Sequence, residues 1–329
     1  MKNAFFLLLL LTCVRLMVHA QEDPVWDNTK NKHWRNEFVQ VQIPSSADGA
    51  LQKAWFHQSA KATPQPLIIS LHTWSGDYNQ EDPLAKEVLL RGWNYIHPDF
   101  RGANNKPDAC GSPLVISDLL EAIHFAIKNA NVDTTNVHII GVSGGGYLTM
   151  LAYMQLDYPV KSFNAWASIS DLQSWYWESK GRGNRYANDI EKVAQKNGVM
   201  DWDELKKRSP MYLPLPYAKR KNAFINIYAG VHDGYTGSVP ISHSVLFYNK
   251  IAKALYPARK DALVPDSVLM SILTKRCNPA ADTSMYIGDR RIHLQKRLSK
   301  LRLTLFEGGH EMIVPQALTL IPVNEVGKQ

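Results

Sequence analysis

The spacing of apolar and polar residues predicts a strand hairpin near the start of the chain. Residues 38–43 alternate between apolar and polar side chains, which is typical of a half-buried strand. Asp48-Gly49 then marks a turn, and residues 51–57 resume the strand pattern. These two segments are expected to pair antiparallel at the edge of a sheet.

After residue 66 the pattern changes to apolar runs separated by helical segments. Residues 67–71 are almost continuously apolar, which suits a strand buried on both faces. Strands that alternate with helices predict an α/β protein with a mostly parallel, doubly wound sheet. The further predicted strands are 93–96, 137–140, 163–169, 224–229 and 302–306, and the predicted helices are 84–91, 117–129, 146–156 and 245–255.

Residues 172–222 interrupt this alternation between two core strands and are predicted to form an inserted cap or lid. The insert is rich in aromatic residues, among them Trp175, Tyr176, Trp177 and Tyr186. These four side chains are candidate substrate-binding residues, because flat aromatic rings can stack on sugar rings. They could equally form the hydrophobic core of the insert, and the sequence leaves both interpretations open.

The first 20 residues have the pattern of an export signal. Lys2 provides a positive start, residues 4–14 form a short apolar run, and Ala20 is a small residue suited to cleavage after it. We therefore expect a signal peptide over residues 1–20, a single catalytic domain over 21–329, and a secreted or periplasmic protein. The apolar run is too short to span a bilayer, and no membrane span is expected in the mature chain.

Charge and cysteine content narrow the range of partners. The net charge is +7 and becomes +5 after cleavage, because Lys2 and Arg15 leave with no acid. This mildly basic chain has no basic-aromatic pattern, so no nucleic-acid partner is expected. Export permits a disulfide between Cys110 and Cys277, but two distant cysteines leave their pairing open. Neither cysteine has the spacing of a metal site, and we expect neither a metal nor an organic cofactor.

A serine in a glycine-rich turn carries the clearest chemical signal. Residues 141–145 read G-V-S-G-G and match G-x-S-x-G, with the predicted strand 137–140 before them and a predicted helix after them. This strand-turn-helix context is that of a nucleophile elbow, which makes Ser143 the candidate nucleophile. The alternative is a glycine-rich turn with an incidental serine.

A serine hydroxyl needs a base to act as a nucleophile near neutral pH, and His310 is the candidate base. It follows a predicted strand on a glycine-rich loop, whereas His243 and His293 lie in helix-like sequence. The expected chain order in such hydrolases is serine, acid, histidine.

The acid is expected on the loop that follows the strand 224–229. Asp233 stands there and is the candidate acid, while Asp289 is the reserve candidate and His232 is interpreted as a loop residue. Two backbone N–H groups should stabilise the oxyanion, and Gly144 and Trp74 are the candidates for them.

At these residues the sequence resembles the prolyl oligopeptidase-like branch of the α/β-hydrolases, which includes acetyl xylan esterases. The resemblance extends over roughly residues 66–315 and implies the α/β-hydrolase fold. One departure lies at residues 72–76, where Thr73 and Trp74 stand in place of the glycine and tyrosine of the H-G-Y-x-G motif of those esterases. The resemblance rests on residues 99–102, 141–146, 208–210, 233–249 and 309–311.

The resemblance implies a serine hydrolase that acts through an acyl-enzyme, and the export signal implies that it is secreted. Only about 45 residues separate the signal from the first buried strand, too few for the β-propeller of the related peptidases. We therefore expect a carboxylic esterase, in particular a carbohydrate esterase, with a small-molecule or polysaccharide ester as its substrate. A peptidase without a propeller and a catalytically silent binding protein are the alternatives, and the sequence does not indicate an oligomeric state.

Overall fold

The computed structural model describes residues 32–323. The strands are β1 (Val39–Pro44), β2 (Leu51–His57), β3 (Gln65–Leu71), β4 (Asn94–Pro98), β5 (Val132–Val142), β6 (Ser162–Trp166), β7 (Gln195–Lys196), β8 (Val199–Met200), β9 (Phe224–Gly230), β10 (Tyr286–Ile287), β11 (Arg290–Leu298) and β12 (Leu301–Phe306). The helices are α1 (Leu84–Arg91), α2 (Pro113–Asn129), α3 (Gly144–Gln155), α4 (Leu172–Gly181), α5 (Tyr186–Ala194), α6 (Trp202–Lys207), α7 (Tyr217–Arg220), α8 (Ser242–Leu255), α9 (Asp266–Lys275) and α10 (Val314–Ala317).

Ten of these strands form one sheet in the order β1-β2-β4-β3-β5-β6-β9-β12-β11-β10. The six strands from β4 to β12 in this order are mutually parallel, whereas β1 and β2 at one end and β11 and β10 at the other pair antiparallel. The predicted α/β class, the parallel sheet and the N-terminal antiparallel hairpin are therefore confirmed.

Both faces of the sheet are covered, as β3 shows most directly. All seven residues of β3 are buried. Leu67 and Ile69 pack in the larger core cluster with residues of α2, α3 and α8, whereas Ile68 packs in a second cluster with residues of α1 and α10. Successive strand residues point to opposite faces, so these are the two layers of a doubly wound fold.

The insert over residues 172–222 consists of α4 to α7 and the small β7–β8 hairpin. Asp171 caps its first helix, α4, and the carboxylate of Asp171 accepts hydrogen bonds from the N–H groups of Gln173 and Ser174. Within residues 32–323, no helix combines the length and the apolar character needed to cross a bilayer.

The prediction of helix-like sequence around His293 was wrong. His293 lies in β11, and β11 pairs antiparallel with β12. The segment R-R-I-H-L-Q-K-R is strongly charged and has little local strand pattern, so its conformation is decided by pairing with a buried neighbour strand.

Arg101 joins the N-terminal hairpin to the body of the domain. This buried guanidinium hydrogen-bonds the carboxylates of Asp118 and Asp48 and the hydroxyl of Ser45. Hydrogen bonds from Arg101 lower the pKa of Asp48 to about 2. The D-x-R-G stretch seen in the sequence therefore fixes the β1–β2 turn beside the loop that follows β4.

The structure contradicts a disulfide between Cys110 and Cys277, because both are free thiols. Cys110 is fully buried, and burial raises the pKa of its thiol to about 12. A thiol that stays protonated is a poor nucleophile.

Thiol titration without reductant tests this assignment. In denaturant we expect every cysteine to titrate, three in the full-length chain and two after removal of residues 1–20. In the folded protein Cys277 should be alkylated readily at pH 8, whereas Cys110 should not, because it is buried and its thiol stays protonated. Mass spectrometry of the alkylated peptides distinguishes the two sites. A count in denaturant that is lower by two thiols would show a disulfide instead.

Candidate active site

Ser143 stands at the sharp turn between β5 and α3. Its backbone angles, φ +57° and ψ −117°, lie in a region that L-residues rarely adopt. Its N–H donates to the carbonyl of Trp166 at 2.9 Å, which anchors the turn to the end of β6. Such backbone strain costs roughly 1–3 kcal/mol and persists only where the surrounding structure holds it. The predicted elbow conformation is therefore present at this serine.

Two glycines after the serine allow the loop after β3 to approach its main chain. A Cβ on Gly144 would lie 2.3 Å from the backbone nitrogen of Trp74, and a Cβ on Gly145 would lie 2.1 Å from the carbonyl oxygen of Leu71. Gly144 is the first residue of α3, so its N–H has no acceptor within the helix. The structure thus brings together the main chains of Gly144 and Trp74, the two candidate oxyanion donors.

Contacts from several parts of the chain hold the loop after β3 in place. The backbone N–H of Thr73 donates to the Gln80 side chain at 3.0 Å, and the Asn104 N–H donates to the Trp74 carbonyl at 2.8 Å. The imidazole of His72 stacks on Phe100, with ring centroids 3.7 Å apart. The loop is therefore a supported element rather than a loose connection.

Asp233 and His310 form the hydrogen-bonded pair that the sequence predicts. Their side chains meet with 2.8 Å between Asp233 Oδ2 and His310 Nδ1, and both are largely buried. Asp233 Oδ1 accepts the N–H groups of Gly234 at 2.9 Å and Val239 at 3.0 Å. Because the carboxylate accepts, Nδ1 carries the proton, and Nε2 is the nitrogen that can act as a base.

The sheet order explains why distant residues share one site. Ser143 follows β5, Asp233 follows β9 and His310 follows β12. Strands β5, β6, β9 and β12 are consecutive and parallel, so their carboxyl ends lie at the same edge of the sheet. Asp289, the reserve acid, has an 89 % exposed side chain paired with Arg290 and is not the hydrogen-bond partner of His310.

A second carboxylate, Glu307, connects the acid loop to the histidine loop. Its oxygens lie 2.5 Å from His232 Nε2 and 2.7 Å from His293 Nε2. Burial alone would raise the pKa of Glu307, but the hydrogen bonds with His293 and His232 lower it. Sequence reasoning treated His232 as a loop residue and did not identify Glu307, because nothing local indicates their contact.

Trp175 and Tyr176 are core residues of the insert, which agrees with the second of the two interpretations that the sequence left open rather than with sugar-stacking platforms. Trp175 is fully buried and Tyr176 is 4 % exposed. The Trp175 ring packs edge-on against Trp74 at 4.6 Å, and its indole N–H donates to the Ser238 carbonyl at 3.0 Å. A ring enclosed in this way has no face to offer a substrate.

Tyr186 and Trp177 are the more accessible aromatic residues of the four. Tyr186 is half-buried and stacks on Trp175 at 4.9 Å. Trp177 is 55 % exposed and stacks on Trp202 at 5.5 Å. Two helical positions correspond to about 200°, so Trp177 faces away from the side on which Trp175 contacts Trp74.

The insert also contacts the loop after β3 through residues that the sequence did not indicate. Trp74 Nε1 lies 3.3 Å from Asp189 Oδ2, and the Arg185 guanidinium donates to Ser75 Oγ at 2.8 Å. These partners are more than 100 residues apart in sequence, so no local pattern reveals them. Among residues 32–323, no group of three or more His, Cys, Asp or Glu is arranged to hold a metal ion.

The glycine contacts at the elbow generate a stability prediction. Gly145→Ala should destabilise the fold by about 2 kcal/mol or more, because the new methyl group meets the rigid carbonyl of Leu71. Gly181→Ala is the matched control, since a Cβ there has no atom within 4 Å. Urea unfolding of both variants measures the difference, and equal stabilities would contradict the close approach.

Comparison with known proteins supports the fold and identifies a family. A family model described as BD-FAE matches residues 55–251. The acylaminoacyl peptidase of Pyrococcus horikoshii superposes with a TM-score of 0.55 and 17 % identity over 83 % of this chain and 37 % of its own. A puromycin-hydrolyzing peptidase of Mycobacterium tuberculosis superposes with a TM-score of 0.52 and 18 % identity, over 66 % of this chain and 33 % of its own. Prolyl oligopeptidase B of Galerina marginata superposes with a TM-score of 0.51 and 17 % identity, over 65 % of this chain and 31 % of its own.

At these low sequence identities, the structural similarity shows a shared fold and nothing about the reaction. The chain spans about 37 % of the length of the acylaminoacyl peptidase that it matches. The family match, in contrast, covers more than half of the chain and includes both Ser143 and Asp233. The chain therefore belongs to the BD-FAE family, and its α/β-hydrolase fold is similar to that of these peptidases.

Proposed function

We propose that this protein is a serine hydrolase that cleaves carboxylic esters through an acyl-enzyme. The observation that carries the proposal is the 2.8 Å hydrogen bond between Asp233 and His310, at the sheet edge that also bears the strained Ser143. A buried carboxylate, an oriented imidazole and a serine at an elbow are the three parts of a catalytic triad.

In the proposed mechanism, Ser143 Oγ attacks the ester carbonyl while His310 Nε2 takes its proton. The same proton then passes to the leaving alkoxide, which departs as the alcohol and leaves an acyl-serine. Water attacks this acyl group with His310 again as the base, which releases the acid and restores the serine. Asp233 keeps the proton of the imidazole on Nδ1 and stabilises the imidazolium that forms in each half-reaction.

The tetrahedral intermediates carry negative charge on the former carbonyl oxygen. We assign the N–H groups of Gly144 and Trp74 to this oxyanion, because their main chains lie against each other beside the serine. Both donors belong to supported backbone, so they need no rearrangement when the charge develops.

Carbohydrate esters are the substrate class that we propose first. A cleft of about 380 Å³ opens beside the loop after β3 and is lined by polar side chains, including Asp77, Asp99, Lys106 and Asp108. Carboxylate and ammonium groups in such a cleft can accept from and donate to the hydroxyl groups of a sugar. The substrate would be a small-molecule or polysaccharide ester.

A serine peptidase without a propeller is the second candidate. The fold shared with acylaminoacyl and prolyl oligopeptidases favours it, and the same triad can cleave amides. The third candidate, a silent binding protein on a hydrolase scaffold, would keep the fold and lose turnover.

We also propose that the protein is exported after removal of residues 1–20. These residues lie outside the part of the chain that the structure describes. N-terminal sequencing of the protein from the culture medium or periplasm should begin at Gln21, and an intact N-terminus on an internal protein would contradict export.

A paired assay tests the proposed chemistry. p-Nitrophenyl acetate should be hydrolysed by the wild type, and Ser143→Ala should lower kcat by about 10⁴-fold or more, because the acyl acceptor is lost. A proline p-nitroanilide peptide, measured with the same two proteins, reports amide cleavage.

The outcomes separate the three candidates, and turnover of neither substrate by a folded wild type would favour the silent binding protein. Ester turnover that depends on Ser143, without anilide turnover, supports the esterase and leads to acetylated polysaccharides as the next substrates. Anilide turnover that depends on Ser143 would assign a peptidase. Ester turnover that survives in Ser143→Ala would contradict the nucleophile.

A further inference from the structure

The loop that carries Asp233 is held from outside by one arginine of the insert. Arg182 follows the last residue of α4, and its guanidinium reaches across to the acid loop, residues 233–239. Its NH1 group donates to the carbonyls of Gly234 at 3.2 Å and Gly237 at 3.0 Å, and its NH2 group donates to the carbonyl of Ser238 at 2.8 Å.

The same guanidinium is fixed at its other side. Nε donates to the carbonyl of Glu178 at 3.0 Å, one of the carbonyls near the C-terminus of α4 that lack an intrahelical donor. A positive charge is also favourable at the negative end of the helix dipole. Arg182 therefore connects the end of α4 to three carbonyls of the acid loop with a rigid, planar group.

The three carbonyls lie on the backbone that wraps the Asp233 carboxylate. The N–H groups of Gly234 and Val239 both donate to Asp233 Oδ1, so the loop closes around this oxygen. A Cβ on Gly237 would lie 2.4 Å from Asp233 Oδ1 and 2.5 Å from His310 Cβ. Displacement of this backbone would therefore move the carboxylate relative to the imidazole.

We propose that Arg182 is a positioning residue, which holds the acid loop closed and thereby keeps Asp233 in register with His310. This inference rests on the proposed hydrolase function for its catalytic consequence. The Arg182 side chain donates to main-chain carbonyls of the acid loop, so it acts through the main chain of residues 234–238. The insert would then help to fix the positions of the catalytic side chains, in addition to the cap or lid role predicted from the sequence.

Arginine is better suited to this role than lysine. Its planar fork presents five N–H groups in fixed directions, and the four contacts described use every nitrogen of the group. A lysine ammonium is a point charge on a shorter, more flexible stem and cannot reach both the helix end and the loop in the same way.

The test compares Arg182→Met, Arg182→Lys and the control Arg259→Met. Arg182 and Arg259 are both exposed, and Arg259 pairs with Asp261 away from the acid loop, so all three variants should fold. Two readouts are taken on each protein: ester-hydrolysis kinetics, and hydrogen–deuterium exchange of the Gly234 and Val239 amides.

We expect Arg182→Met to lower kcat by about 10- to 100-fold with little change in KM, because a misplaced triad affects the reaction more than substrate binding. Exchange at Gly234 and Val239 should accelerate, since both amides are protected only while the loop is closed on Asp233. Arg182→Lys should fall between Arg182→Met and the wild type, and Arg259→Met should match the wild type in both measurements.

The two readouts make the proposal refutable independently of the proposed function. Unchanged exchange in Arg182→Met would overturn the positioning role, and so would faster exchange with unchanged kcat. A raised KM with an unchanged kcat would overturn it too, because that result would indicate a contact between Arg182 and the substrate. Failure of the hydrolase proposal has a different signature, namely a wild type without turnover that depends on Ser143.

Discussion

The site depends on the direct packing of two main chains, that of the elbow and that of the loop after β3. Gly144 and Gly145 lie so close to Trp74 and Leu71 that no Cβ fits between them. This contact holds Ser143 in its strained conformation and brings two backbone N–H groups to one place. Side chains at these two positions would separate the proposed nucleophile from its proposed oxyanion donors, even if the sheet were otherwise intact.

The insert completes this arrangement by joining the two sides of the site. At the loop after β3, Asp189 contacts Trp74 and Arg185 contacts Ser75. On the acid side, Trp175 and Arg182 both donate to the carbonyl of Ser238. Because Trp175 also packs against Trp74, one helix of the insert contacts both loops. A segment that interrupts the α/β alternation in sequence is therefore part of the frame that sets the geometry of the site.

The sequence revealed the features that local rules govern. The elbow at Ser143 is encoded by adjacent glycines, and Asp233 and His310 follow from their places just after predicted strands. The burial of Trp175 and the strand conformation of His293 were not predictable, because each is decided by partners that are distant in sequence. The Arg182 contacts belong to the same class, since they join residues more than 50 positions apart.

The hydrogen bonds around Asp233 and His310 likewise include one that local sequence predicts and others that depend on distant partners. The pairing of Asp233 with His310 could be predicted from the order of chemical groups along the chain. The connection of His232 and His293 through Glu307 could not, because it needs β11 beside β12. Local sequence thus identifies the groups that we propose to react, while the tertiary fold determines how firmly they are held.

The most direct test of this account is the labelling of the full-length protein with a fluorophosphonate, followed by peptide mapping. This probe forms a stable adduct with a serine only where a base and oxyanion donors activate it. The account predicts a single adduct on Ser143 that forms rapidly in the wild type and far more slowly in His310→Ala. An adduct on another serine, or a folded wild type that takes up no label, would contradict it.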